Sequence, residues 1–202
     1  MALKSRRDEY SQKTKGALLG AARRLFATRG YAGTSLDEVV RAARVTKGAL
    51  YHHFSGKEEL LTEVLNELHR ESMARVGAKA KQQAKPWDSL VAGIAAFLDS
   101  CSDPEFGRIA LQDAPSVLGH ERWSELDERH SSGMLRASLQ KLIDAGEIES
   151  QPIDLLVRLV SGALHEAALY IASHPSPTRA RADAGRLLER FLSSLRVQRR
   201  GR

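Results

Sequence analysis

The tightest constraint on this chain is the segment 45–57, VTKGALYHHFSGK, which reads as a helix of about two turns with only two apolar anchors. Thr46 suits its N-cap, because a hydroxyl there can accept from backbone N–H groups that have no intrahelical partner. Leu50 and Phe54 are four apart and share one side, so they can fix the helix to a core. Lys47, Gly48, Tyr51 and His52 point elsewhere, and His53 sits near the boundary. The outward set donates to phosphates and base edges, and a helix this slim fits the major groove of DNA. Gly48 is costly inside a helix, a cost explained if something large comes close there. Ser55 and Glu58 have the spacing of a capping box, so a new helix is expected from Gly56 or Lys57. Lys57 then stands at a helix N-terminus, where free N–H groups and the dipole already favour an anion. We read it as a second ligand for a phosphate.

The residues before this segment supply its support. Leu18, Ala22, Leu25, Phe26 and Arg29 recur at helical spacing and predict a first helix over 11–29, closed by Gly30. Tyr31 and Gly33 form a turn. Ser35 and Glu38 make a capping box for a short second helix ending near Ala43, whose inner face is Leu36, Val39, Val40 and Ala43. Helix, short turn at Arg44 and Val45, helix is a helix-turn-helix. Residues 1–10 are polar and expected to be disordered. Lys4, Arg6 and Arg7 there fit a solvated tail or an arm entering the minor groove.

Charge follows the same division. Residues 1–60 hold 12 Lys and Arg against 6 Asp and Glu, whereas residues 61–202 hold 19 of each. The whole excess of +6 therefore lies with the groove helix, as in a basic DNA-binding head on a neutral body.

The rest predicts more helices: 57–81, 87–100, a short one over 104–112 halted by Pro115, 121–144 with a break or kink at Ser131-Ser132-Gly133, 153–173, and 178–197. No strand pattern appears. The 174–177 segment is a loop, and the C-terminal RVQRRGR is a basic tail expected to fray. The single cysteine, Cys101, excludes an internal disulfide and reads as a small buried apolar residue. No apolar run is expected to reach the length of a membrane span, and no secretory signal is visible. A cytoplasmic protein is expected.

Catalytic signatures are missing. The chain has no G-x-S-x-G, P-loop or H-E-x-x-H; His165-Glu166 is half of the last, but Leu169 stands where the second histidine would be. His52 and His53 are adjacent and point to different sides of a helix, so no metal site is expected of them. Asp113, His120, Glu121, Asp127 and His130 read as solvated surface. No catalytic residue, metal or cofactor is expected.

Residues 11–70, including AARRLFATRGYAGTSLDEVVRAARVTKGALYHHFSGKEELL, resemble the DNA-binding domain of the TetR/AcrR family of transcriptional regulators. The resemblance rests on an A-x-x-L-F first helix, a G-Y-x-x-T-S turn and G-x-L-Y-x-H-F-x-x-K-E-x-L. It implies an all-α fold: a three-helix head over 12–72, with its helix-turn-helix at about 35–54, joined through a long fourth helix to a helical effector-binding and dimerisation body over 73–202. It implies that Ser35 holds a phosphate and that Thr46, Lys47, Gly48 and Ala49 face base edges or nearby backbone. Tyr51, His52 and His53 would divide between phosphates and bases, and Lys57 would clamp a phosphate. Position 52 is often aromatic in the family; a histidine there could add pH sensitivity to binding. The family further implies a homodimer through 153–173 and 179–197, a pseudo-palindromic DNA operator, and a small-molecule effector that releases a repressor. Candidate effector contacts are Phe97, Cys101, Phe106, Ile109, Trp123, His165, Glu166 and Tyr170. The alternative is a helical small-molecule-binding protein or enzyme whose basic head is only structural.

Overall fold

The computed structural model describes residues 6–197. Lys4 and residues 198–202 of the basic tail lie outside the described residues, as do the side chains of Arg6 and Arg7.

Helix α1 spans Arg6–Arg29, so it begins earlier than the predicted residue 11, and residues 6–10 are helical rather than disordered. Asp8 and Glu9 in its first turn favour that earlier start, because carboxylates complement the positive end of the helix dipole. Leu18, Ala22 and Phe26 are fully buried. Gly30, at φ 77, ends the helix with its N–H on the Phe26 carbonyl. Gly33 is pressed against the chain: a Cβ there would sit 2.6 Å from the Arg29 carbonyl oxygen, which explains the glycine in the turn.

Helix α2 (Leu36–Ala43) opens with the capping box expected of Ser35 and Glu38. It closes on Arg44 in the left-handed region at φ 56, whose N–H reaches the Val40 and Arg41 carbonyls. Helix α3 (Lys47–His53) follows, capped by Thr46. Helix α4 (Lys57–Lys81) starts where expected, although its cap differs. Ser55 pairs through its N–H and hydroxyl with Glu59, not Glu58. Glu58 instead meets Arg122 at 2.5 Å.

The body comprises α5 (Pro86–Ser102), α6 (Pro104–Phe106), a π-helical segment (Gly107–Asp113), α7 (Ala114–Leu118), α8 (His120–Asp144), α9 (Ile153–Ser173) and α10 (Pro177–Ser193). Pro115 does not halt a helix. It lies in the first turn of α7, where a missing N–H costs least. The helix α8 runs unbroken through Ser131, Ser132 and Gly133. Helix α10 ends at Ser193, before the predicted 197. Beyond it the Val197 N–H reaches the Glu147 carbonyl at 3.0 Å, and Arg196 forms an isolated antiparallel bridge with Ile148.

One core runs from the head into the body. Leu18, Phe26, Val39, Leu50, Phe54, Leu61 and Leu65 are continuous with Leu98, Cys101, Phe106, Ile109 and Trp123 through α4. A second core gathers Trp87, Leu90, Leu139, Leu142, Leu156, Val160 and Leu192 at the far end. Polar straps reinforce the junction. Asp113 was expected at the solvated surface; its carboxylate instead accepts from the Tyr31 N–H at 2.8 Å. Arg23 makes bidentate contacts to both Glu71 and Glu105 at 2.7–3.0 Å.

Helix α9 also corrects the expectation about apolar runs. Its 21 residues are long and apolar enough, by length and composition, to cross a membrane, and only 28% of its most apolar stretch is buried. Its apolar residues divide between the core and an outward stripe containing Leu155 and Leu159, 55% and 58% exposed.

Candidate nucleic-acid interface and body cavity

Helix α3 stands on a narrow footing. Leu50 and Phe54 are buried, as their spacing predicted. The extended backbone of Thr46 aims its hydroxyl at the Ala49 N–H, which donates to it at 3.2 Å. Thr46, Lys47, Gly48, Tyr51 and His52 are exposed, while Ala49 and His53 are half-buried. The structure thus gathers most of the expected contact residues on one solvent-facing strip.

The strip is not electrostatically idle. Lys47 pairs with Asp37 of α2 at 2.8 Å, and the carboxylate raises the lysine above its usual range. Both groups face water, so the pair is weak and can be exchanged for a phosphate. Burial lowers His53, and His52 and Lys15 push it in the same direction. The His52 and His53 rings lie edge to face at 5.1 Å. A Cβ on Gly48 would meet nothing nearer than the Thr46 hydroxyl at 4.0 Å. Nothing among the described residues therefore requires a glycine there.

Ser35 and Lys57 have internal duties that spacing did not reveal. The Ser35 hydroxyl accepts from the Glu38 N–H and donates to the Glu38 carboxylate. The Lys57 ammonium donates to the Tyr31 and Thr34 carbonyls, both at 2.8 Å, and sits 4.1 Å from the centre of the Tyr31 ring. It staples the α1–α2 turn to the start of α4. Of its three N–H groups, one is left over for another acceptor.

In the body, a cavity of about 640 Å³, including the space at its mouth, opens between α4, α5, α8 and α9. Phe97 and His165 line it, as expected. Cys101, Phe106, Ile109 and Trp123 do not; they are buried core behind it. Trp123 donates its indole N–H to the Ala110 carbonyl at 2.8 Å, and its ring centroid lies 4.6 Å from that of His165. Glu166 and Tyr170 are exposed, on the opposite side of α9, and Tyr170 packs against His174. A helix with apolar residues all round gives no rotational phase, which is why these two were misjudged.

Sequence reasoning also missed Asp127. Expected at the surface, it is a cavity residue whose side chain is only 14% exposed. Its carboxylate lies 3.3 Å from His69 Nδ1 on α4 and 3.6 Å from His165 Nε2 on α9. Burial raises Asp127 above the usual carboxylate range, against the pull of His165. Burial also lowers His69 to about 3, with His130 and His165 adding to the shift. His69 is therefore neutral near pH 7. A signal for Asp127 was present: it falls four residues after Trp123 and seven before Met134, on one face of α8.

Comparison with known proteins agrees with this arrangement. Residues 18–64 match the model of bacterial regulatory proteins of the tetR family, and residues 87–195 match a tetracyclin repressor-like C-terminal domain. The crystal structure of a TetR-family transcriptional regulator from Pectobacterium atrosepticum superposes with a TM-score of 0.84 at 32% identity, covering 96% of this chain and 98% of that one. The TetC protein of transposon Tn10 from Escherichia coli is 29% identical over 91% of this chain and 90% of its own length. The regulator TtgR of Pseudomonas putida is 42% identical over 64 residues, 32% of this chain and 30% of its own.

Proposed function

Because this chain belongs to the TetR family of transcriptional regulators, we propose that it is a cytoplasmic, non-enzymatic repressor that leaves a pseudo-palindromic operator when a small molecule fills its body cavity. The observation that carries the reading is α3. It is a short helix held by Leu50 and Phe54, with Thr46, Lys47, Gly48, Tyr51 and His52 exposed together on the part of the chain that holds the whole positive excess. On this reading residues 12–72 are the DNA-binding head and residues 73–202 the effector-binding and dimerisation body.

Within the head, Thr46, Lys47, Gly48 and Ala49 approach base edges, and Tyr51, His52 and His53 divide between bases and phosphates. Ser35 caps α2 and can still offer an oxygen lone pair to a bridging water near a phosphate. Lys57 can give its remaining N–H to a phosphate while holding the turn. Two heads on a two-fold axis read half-sites about one helical turn, or a small multiple, apart.

Dimerisation through α9 and α10 is supported by the apolar groups these helices leave in water: Leu155, Leu159 and Tyr170 on one, Leu187 and Phe191 on the other. Together they form the surface expected of a four-helix interface.

The switch is a population shift. Helix α4 carries Met73, Val76 and Ala80 at the cavity wall and Leu60 and Leu61 in the head core. A ligand that prefers a displaced α4 changes the separation of the two heads, so ligand and operator weaken each other by the same factor. Selecting bound fragments from genomic DNA tests the reading. Enrichment of one two-fold related sequence, bound by a dimer in sedimentation, is expected; no enrichment over the starting pool would overturn it.

A further inference from the structure

Most of the polar groups of the body cavity, three of its four serines and Asp127, are placed to accept hydrogen bonds. Ser161 lines it with no side-chain hydrogen bond among the described residues; Ser89, Ser131 and Ser138 line it too, and each spends its hydroxyl proton on a backbone carbonyl: Ala80 at 2.5 Å, Asp127 at 3.0 Å and Met134 at 3.0 Å. What they can offer a guest is oxygen lone pairs. Asp127 adds a carboxylate, and none of the lining residues is Lys or Arg. Apart from His165 the remainder of the wall is apolar, with Met73, Ile94, Phe97 and Leu164 typical of it.

No Lys or Arg stands in the wall beside the carboxylate; the groups next to it that could oppose its charge are the imidazoles of His69 and His165. Of the imidazoles beside it, His69 is kept neutral by burial. With its Nδ1 toward Asp127, the second nitrogen of His69 is buried with no hydrogen bond among the described residues; Nε2 of His165, also buried, makes none either and has the Asp127 carboxylate 3.6 Å away. A buried charge without an opposite charge is costly, and a cation placed beside it removes that cost.

We propose that the effector is an apolar molecule bearing a protonated nitrogen, which seats its hydrocarbon among α4, α5, α8 and α9 and donates its N–H groups to Asp127 and the neighbouring serine oxygens. The inference rests on the regulator reading given above and names the chemistry of the molecule that reading requires. A carboxylate of the same shape would face Asp127 with no Lys or Arg in the wall to offset the repulsion. A neutral alcohol would satisfy the hydrogen bond but bring no positive charge to the carboxylate.

Three probes with the same hydrocarbon chain separate these cases: n-decylamine, 1-decanol and decanoate, titrated calorimetrically at neutral pH into the full chain without DNA. Decylamine is expected to bind one per chain, about tenfold or more tighter than decanol, as a charge-assisted hydrogen bond at a buried site implies. Decanoate is expected to be weakest. Asp127→Asn, checked for native helicity, should bring decylamine to within about threefold of decanol. Decanol or decanoate binding the unaltered protein as tightly as decylamine would overturn the proposal, and so would an amine preference that survives Asp127→Asn. If the substituted chain fails to fold, the series on the unaltered protein still decides. Operator affinity, measured separately without probe, keeps the two claims apart. A regulator that binds its DNA but shows no amine preference sinks the effector chemistry alone, and a chain without specific DNA affinity sinks the regulator reading.

Discussion

Helices α3 and α8 use their polar residues in opposite ways. On α3, Lys47, Tyr51 and His52 face water because only Leu50 and Phe54 have a core beneath them. On α8, a longer and equally polar helix, α4 and α9 pack against the face that carries Asp127, and the carboxylate ends inside, between two imidazoles. The same class of side chain therefore works in two dielectric regimes. On α3 the charges are hydrated and screened by salt, which suits rapid, reversible contact with a polyanion. At Asp127 the charge acts at short range and little screened, which suits selecting one small molecule. Helix α4 spans both regimes and is the element through which one can report to the other.

The contrast can be broken most directly on α3 itself. Leu50→Ala should lower unfolding stability by roughly 2–5 kcal/mol, the range for truncating a buried leucine. Tyr51→Ala, one residue on, should leave stability within about 0.5 kcal/mol yet cost roughly 1–3 kcal/mol of operator affinity. Chemical denaturation and DNA titration on both variants check this; matched effects on stability would mean that Tyr51 is not the solvent-facing group described.

Acid tests the buried side. With His69 held at about 3, the unfolded chain takes up a proton below about pH 6.5 that the folded chain does not. Stability should therefore fall as pH drops from 7 toward 5, by about 2 kcal/mol at pH 5 for this one group. The lowered His130 adds in the same direction. Asp127, raised in the fold, works oppositely, wherever its folded form holds a proton that the unfolded form has lost. Thermal unfolding followed across this range, with His69→Leu alongside, reads the effect. A profile unchanged by that substitution would remove the buried imidazole from the account.

Lys57 lies between the two regimes. Lys57→Met deletes two ammonium–carbonyl hydrogen bonds and should cost roughly 1–2 kcal/mol of stability. If its third N–H also reaches a phosphate, the salt dependence of DNA binding should flatten by about one charge per chain. Gly48→Ala has the smallest expected effect on the fold and an informative sign. With open space at its Cβ, alanine should stabilise the helix by about 0.5–1 kcal/mol while weakening DNA binding. A variant that binds DNA as well as the parent would show that nothing approaches closely there.

These sites also mark what could be read from the chain alone. The cap of α3, the capping box of α2 and the extent of α9 were legible because each depends on residues within four positions of one another. Ser55 was assigned to Glu58 rather than Glu59 for the same reason: both carboxylates are in reach, and only the turn geometry chooses. The partners of Lys57 and Asp113 were hidden, since they come from carbonyls and N–H groups brought close by the fold. Glu166 and Tyr170 were assigned to the wrong side of α9 because that helix is apolar on two faces, one for its own core and one left in water. Asp127 could have been found from its register with Trp123 and Met134, but a lone carboxylate on a polar helix carries no sign that two other helices will cover it.

The central claim is that the exposed strip of α3, presented twice by a symmetric dimer, grips DNA through its phosphates while it reads the bases. Affinity for the selected operator fragment, measured over a series of salt concentrations, tests it most directly. The account predicts a straight and steep fall of log affinity with log salt, made parallel but lower by Tyr51→Ala. An affinity indifferent to salt, or one untouched by that substitution, would contradict it.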